Sequence, residues 1–262
     1  MASRFLAVLA LAIFPTLSIA AAIPEAIAPA IVPGADIVGG SAAVAGQFPS
    51  QVALLVGSSL FCGGVLINSR TVLTAAHCSV DYAASAVTVR AGSLRYASGG
   101  TLVRVSRILV HPSYNENTFD NDVALWTLTT AIPSSSTIGY ATLPAPGSDP
   151  AAGVSTTVSG WGLTSESGST LPASLRYVAV PVVSRASCRS AYGTSAVTTN
   201  MFCAAASGKD SCSGDSGGPI VVTSTGVLAG TVSWGQGCAE PGYAGVYSRI
   251  GNYVTWINAN KA

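Results

Sequence analysis

The chain has 262 residues, a formal net charge of +1 and only 9% Asp, Glu, Lys and Arg. That balance leaves no basic patch for a polyphosphate and no cationic amphipathic helix for a lipid surface, so neither nucleic acid nor a membrane is expected as a partner. The length suits two modest β modules or one large β domain.

In chain order, the first element is a leader. Met1 to Arg4 supplies a positive start, Phe5 to Ile19 is apolar, and Ser18-Ile19-Ala20-Ala21-Ala22 offers small residues for cleavage. Residues 1–20 therefore read as a secretory signal peptide and predict a secreted, extracellular product. The apolar run is shorter than the ~20 residues a spanning helix needs. Residues 21–36 are rich in Ala, Ile and Pro, contain no Lys or Arg and show no sustained periodicity, which predicts a short propeptide.

Short segments rich in Val, Leu, Ile and Thr follow, separated by Gly, Ser, Asn and Asp, and predict strands over 51–56, 64–67, 71–75, 86–90, 102–110 and 123–128. A Pro-rich stretch, Pro144-Ala145-Pro146-Gly147-Ser148-Asp149-Pro150, interrupts them. The pattern resumes over 154–159, 175–183, 219–222, 227–234 and 243–248, so two all-β halves are expected, 37–140 and 141–262. Residues 184–192 suit a short helix. Residues 252–261, with Val254 and Ile257 three apart, suit a closing one whose role is packing.

The chemistry concentrates in Asp210-Ser211-Cys212-Ser213-Gly214-Asp215-Ser216-Gly217-Gly218-Pro219, where glycines leave the Ser216 backbone bare and its hydroxyl reachable. A serine nucleophile needs a base, and the chain has only two histidines. His77 lies in Thr74-Ala75-Ala76-His77-Cys78; His111, before Pro112, has no comparable setting and reads as a surface loop residue. A carboxylate must orient the base. Asp122 opens the apolar run Val123-Ala124-Leu125, but residue chemistry alone does not separate it from Asp120.

These motifs, together with Ile37-Val38-Gly39-Gly40 and Ser233-Trp234-Gly235 and in this order, resemble the trypsin/chymotrypsin family of secreted serine endopeptidases, and within it the trypsins, fungal trypsin-like enzymes in particular. The resemblance spans nearly everything from Ile37 onward. It implies two six-stranded antiparallel Greek-key barrels with the active site between them and a C-terminal helix. It implies Ser216 as nucleophile, His77 as base and Asp122 as its orienter, with the N–H groups of Gly214 and Ser216 as the oxyanion hole. It selects Asp122 over Asp120. Six cysteines permit 15 pairings, from which the resemblance selects Cys62–Cys78, Cys188–Cys203 and Cys212–Cys238.

By the same resemblance Asp210 floors a primary pocket for Arg or Lys, assisted by Ser211. Gly235 and Gly245 form its walls, and Ser233 and Trp234 offer an edge for an extended protein or peptide substrate. Asp215 is implied to receive the α-ammonium of Ile37 once the Asp36–Ile37 bond is cut. Asp36 is not Lys or Arg, so a separate activating protease is expected. Ser213 stands where a glutamine is usual and Ala244 where a proline is common. Phe119 either narrows a neighbouring subsite or packs its loop. The loop 92–101 carries no Asp or Glu, and no metal-ligand spacing occurs, so no metal and no cofactor are expected; a monomer is expected as well.

Two rival functions remain at this stage. Gly214-Asp215-Ser216-Gly217-Gly218 also satisfies the Gly-x-Ser-x-Gly pattern of α/β-hydrolase esterases, but that fold places its histidine after the serine, and both histidines here precede Ser216. A catalytically silent homologue acting as a binding protein retains the same residues, and active-site titration separates it from an enzyme.

Overall fold

A computed structural model describes residues 37–262, and Met1 at the far N-terminus; the signal-peptide and propeptide readings over 1–20 and 21–36 lie outside the described residues. Alternating and continuous apolar segments form thirteen strands there. The first barrel is built from β2 (Gln51–Val56), β3 (Ser59–Leu66), β4 (Thr71–Thr74), β5 (Val87–Ala91), β6 (Thr101–Val110) and β7 (Ala124–Leu128). They close antiparallel in the order β2-β3-β4-β7-β6-β5. The second barrel uses β8 (Ser155–Gly160), β9 (Arg176–Val183), β10 (Met201–Ala204), β11 (Pro219–Val222), β12 (Leu228–Trp234) and β13 (Gly245–Arg249). Its order, β8-β9-β10-β13-β12-β11 with β11 returning to β8, repeats the topology of the first. Closure pairs the strand edges that an open sheet would leave free for aggregation.

Two strands are absent from the sequence reading. β1 (Ser41–Ala42) has only two residues, too few to show alternation, and pairs with Tyr177 and Arg176 of β9. β10 is a four-residue run, Met-Phe-Cys-Ala, buried throughout, so it has no polar face to reveal a period of two. β3 begins earlier than expected because Val56 pairs with Ser59 across a two-residue turn, where Gly57 takes a φ of 60°.

Each barrel fills its own interior. Trp126, wholly buried among Val52, Leu54, Leu66 and Val89, anchors the first core, and its indole N–H donates to the Ser79 hydroxyl at 2.9 Å. Ile37, Val158, Val180, Phe202, Ile220 and Tyr247 anchor the second. Helix α1 (Arg185–Tyr192) starts at Ser184, whose side chain accepts the Ser187 N–H, and Cys188 ties it to Cys203 of β10. Helix α2 (Val254–Asn260) buries Val254 and Ile257 against Val65 and Leu73 of the first barrel and Leu228 of the second. Each such side chain contributes roughly 1.5–3 kcal/mol, so α2 joins the two halves.

His111 lies in a loop, as expected from sequence, but is partly buried. Its ring packs 5.4 Å from that of Tyr253 and 4.8 Å from that of Trp256, and burial pulls its pKa below the usual histidine value.

Candidate active site

His77 sits on the tight turn that follows β4. Ala75 and Ala76 are fully buried there, and their small side chains let the turn lie against the barrel, while a Cys62–Cys78 disulfide ties it to β3. The imidazole Nδ1 lies 2.8 Å from Oδ2 of Asp122, and the His77 backbone N–H donates to Oδ1 at 2.9 Å. A carboxylate can only accept, so Nδ1 carries the proton and Nε2 is left with a free lone pair.

Asp122 is completely buried just before β7. Its two bonds from His77 are joined by the hydroxyl of Ser233, from β12, while Ser248 of β13 donates to its backbone carbonyl at 2.8 Å. An interior carboxylate without donors costs several kcal/mol; here both barrels supply them. Asp120, two residues earlier, points elsewhere and accepts from Thr198 and Asn200. The ring of Phe119 meets that of His77 edge-on at 5.7 Å.

The Ser216 loop is pinned residue by residue. Leu163 N–H donates to Ser213 O, Gly217 N–H to Val232 O and Gly218 N–H to Asp215 O, and the Ser216 carbonyl accepts the Gly63 N–H of β3 at 2.8 Å. The amides of Gly214 and Ser216 donate to no acceptor among the described residues. Gly214 takes a φ of 100°, which a residue with a Cβ rarely adopts. At Gly217 a Cβ would overlap Thr74 Oγ1, so only glycine lets the loop approach the strand leading to His77. Ser216 thus rests against the first barrel. Its hydroxyl bonds no other protein group among the described residues, and in free enzymes such bonds commonly tighten only when substrate arrives.

Asp215 is wholly buried. It accepts the N–H groups of Gly162 at 2.7 Å and Cys212 at 3.0 Å, yet burial still pushes its pKa up to about 7. Ile37 is equally buried in the same half, with a φ of 41°, an outlier for a β-branched residue.

Beside Ser216 opens a cavity of about 160 Å³, lined by Asp210, Ser211, Ser233, Trp234, Gly235 and Gly245 among others. Asp210 is 5% exposed and held by the N–H groups of Ser211 (2.8 Å) and Ala239 (3.0 Å). Those bonds offset only part of its desolvation, so its pKa is pushed up to about 6. A Cβ at Gly245 would lie 2.6 Å from Asp210 Oδ1. At Gly235 no atom outside its chain neighbours lies closer than 3.8 Å, so a side chain there would occupy the recess itself. The Cys212–Cys238 disulfide fastens the cavity's two walls together.

The sequence reading missed Tyr247, fully buried, whose hydroxyl lies 3.2 Å from that of Ser211, and Ser248, which holds Asp122. Both lie on β13, where polar atoms at buried positions were the available signal. Also missed was Tyr192, which donates to Ala244 O and packs edge-on against Trp234 at 4.9 Å.

Two places bear on metals. The ligand atoms of Cys62, His77 and Cys78 cluster together, but both sulfurs are spent in their disulfide and offer no thiolate. In the loop 92–101 the Arg90 guanidinium donates to the carbonyls of Tyr96 (2.8 Å), Ala97 (3.5 Å) and Gly99, so the chain's own cation occupies those acceptors.

Residues 37–257 match the family model described as "Trypsin". Among curated proteins, "Trypsin Blo t 3" of Blomia tropicalis is 47% identical over 227 residues, 84% of each chain. "Trypsin beta" of Drosophila erecta is 45% identical over 240 residues, 91% of this chain and 92% of that protein. "Trypsin delta" of Drosophila melanogaster is 44% identical over 241 residues, with the same coverage.

Proposed function

Because the chain belongs to the trypsin family and is itself a trypsin-like serine endopeptidase acting on proteins or peptides, we propose that it cuts after Arg or Lys with Ser216 as nucleophile. One observation carries the reading: an imidazole oriented through Nδ1 by a buried carboxylate stands in the same molecule as a cavity that ends in Asp210 and opens at Ser216. The substrate's cationic side chain enters that cavity, where a desolvated charge pair couples by roughly 1.5–7 kcal/mol. Its backbone lies along residues 233–235 as an added strand.

His77 Nε2 then takes the Ser216 proton as Oγ attacks the carbonyl carbon. The carbonyl π electrons move onto oxygen, which receives the two amides of Gly214 and Ser216. Collapse of the tetrahedral species expels the amine, which leaves with the proton from Nε2, and an acyl-enzyme remains. Water, deprotonated by His77, repeats the sequence and frees the acid. Asp122 orients the imidazole and stabilises the imidazolium as it forms.

The precursor reading rests on Asp215 and Ile37. A buried carboxylate raised to about 7 lacks a countercharge while Ile37 is acylated by Asp36. Cutting that bond creates an α-ammonium and abolishes the strained φ, since an N-terminal residue has none. Asp36 does not suit a protease selective for Arg or Lys, so another enzyme performs the cut. Secretion to an oxidising space accords with three disulfides, Cys62–Cys78, Cys188–Cys203 and Cys212–Cys238, and the product acts as a monomer.

The test is cleavage of a mixed peptide pool by the matured enzyme and its Asp210→Ser variant. Cuts after Arg and Lys are expected from the first and lost in the second, while Ser216 stays reactive toward an active-site titrant. Cuts indifferent to charge in the unaltered enzyme would refute the reading. A Ser216 that no titrant labels would favour the silent homologue.

A further inference from the structure

The segment 119–122 sends successive side chains in different directions. Phe119 sets its ring edge-on to His77, Asp122 bonds the same imidazole, and the Asp120 carboxylate between them reaches across to the second barrel. Its Oδ1 accepts the Thr198 hydroxyl at 2.6 Å and the Asn200 amide at 3.1 Å, both from the turn that precedes β10. The same amide reaches Oδ2 at 3.3 Å and Asn121 Oδ1 at 3.4 Å. Asn200 is held in turn by Asn252, at 3.0 Å.

Two residues of this segment are held in an uncommon backbone conformation. Phe119 and Asn121 have φ of 53° and 57°, a left-handed conformation that Asn tolerates but that is strained for a bulky residue such as Phe119. Such strain persists where surrounding contacts overdetermine it. Within its own barrel the loop is tied mainly through backbone groups, the Asn115 N–H to Asp120 O at 3.0 Å, the Val123 N–H to Asn121 O at 2.8 Å and the Asn121 amide to Ser113 O at 3.0 Å, with one side-chain bond from that amide to Asp120 Oδ2 at 3.2 Å. The dense set of side-chain bonds lies across the seam, on Asp120.

We propose that Asp120 is a positioning residue: its bonds to Thr198 and Asn200 of the second barrel fix Phe119 and Asp122, and through them the His77 imidazole. The inference rests on the reading of His77 and Asp122 as base and orienter. Asp120 touches neither substrate nor His77. Its consequence is that imidazole geometry is set only when the two barrels dock.

Matured enzyme carrying Asp120→Ala, Asp120→Asn, Thr198→Val, Asn200→Ala or the Asp120→Ala/Thr198→Val pair is compared with the parent, each normalised to titratable Ser216. Because displacements near 1 Å can cost 100-fold, Asp120→Ala is expected to lower kcat about 10-fold or more with KM within about 2-fold. Asp120→Asn keeps the Oδ1 acceptor and falls between the two. Thr198→Val lowers kcat alone, and the pair is no worse than Asp120→Ala. The low-field proton resonance of the His77–Asp122 bond should broaden in Asp120→Ala.

An unchanged kcat and resonance in Asp120→Ala would overturn the inference. So would an Asp120→Asn as impaired as Asp120→Ala beside unaffected Thr198→Val and Asn200→Ala, since charge and not tethering would then be at work. If Asp120→Ala fails to fold, Thr198→Val and Asn200→Ala carry the same decision. Asp122→Asn separates the two levels: full activity in it would sink the reading of the triad, whereas an inactive Asp122→Asn beside an unaffected Asp120→Ala sinks the tether alone.

Discussion

Cutting before Ile37 should change how the stability of the protein depends on pH, and Asp215 sets the size of the effect. In the uncut chain this carboxylate is wholly buried with a pKa of about 7, against 3.8 in the unfolded chain. The folded state therefore holds a proton that the unfolded state has released between about pH 4 and pH 7, so stability falls as pH rises through that window. A difference of about three pH units at 1.36 kcal/mol each sets an upper bound of about 4 kcal/mol. Swinging the loop out to hydrate Asp215 would cap the loss below that. Under the proposed activation, an Ile37 ammonium paired with the carboxylate would favour its charged state, so this contribution to the slope should vanish or reverse.

The assay is urea unfolding at pH 4, 5, 6 and 7 of an uncut chain and of a matured chain beginning at Ile37, both carrying Ser216→Ala to prevent self-digestion. Asp210, raised to about 6, adds a slope of the same sign in both forms. Asp215→Asn in the uncut chain isolates the larger contribution. It sacrifices one acceptor for the Gly162 or Cys212 amide, which offsets all pH values alike and leaves the slope interpretable. Equal slopes in the cut and uncut forms, or an uncut slope unmoved by Asp215→Asn, would refute the reasoning.

Three further outcomes are expected. An aryl amidine should bind the matured enzyme with a Kd that rises about tenfold per pH unit below about pH 6, because the amidinium needs an ionised Asp210; calorimetry of Asp210→Asn should show weak binding without that dependence, and a retained slope would contradict the assignment. Arg90→Leu strips the donors from three loop carbonyls, two of them on exposed residues, and at about 0.5–1.5 kcal/mol net per hydrogen bond it should lower the thermal midpoint and speed proteolysis within residues 92–101. Added calcium should not restore it, since the loop has no carboxylate. Gly217→Ala forces a Cβ onto Thr74 Oγ1 at a φ of 74°, so the fraction of Ser216 labelled by an active-site titrant should drop while the folded protein persists by circular dichroism; unchanged labelling would show that the loop does not depend on this close approach.

Much of the molecule was legible before any coordinates. Apolar segments of four to nine residues set off by turn formers announced an all-β chain, and eleven of the thirteen strands fell where that pattern placed them, within about five residues at each end. The missing two were too short or too uniformly buried to show a period. The glycine-flanked serine, the histidine among alanines and the six cysteines were local signals, because each residue type carries its chemistry with it.

What periodicity and composition could not supply were relations between distant positions. Asp120 and Asp122 are chemically alike in sequence; they part company because Ser233, 111 residues on, donates to one, and Thr198, 78 residues on, donates to the other. The contact of Tyr247 with Ser211 at the pocket, the bond of Ser248 to Asp122, the packing of His111 against α2, and the filling of the loop 92–101 by Arg90 were hidden for the same reason. Local sequence determines which backbone shape and which reactive groups a segment brings. Which of those groups meet is decided when two separately closed barrels dock, because only that contact brings together side chains that the chain itself holds far apart.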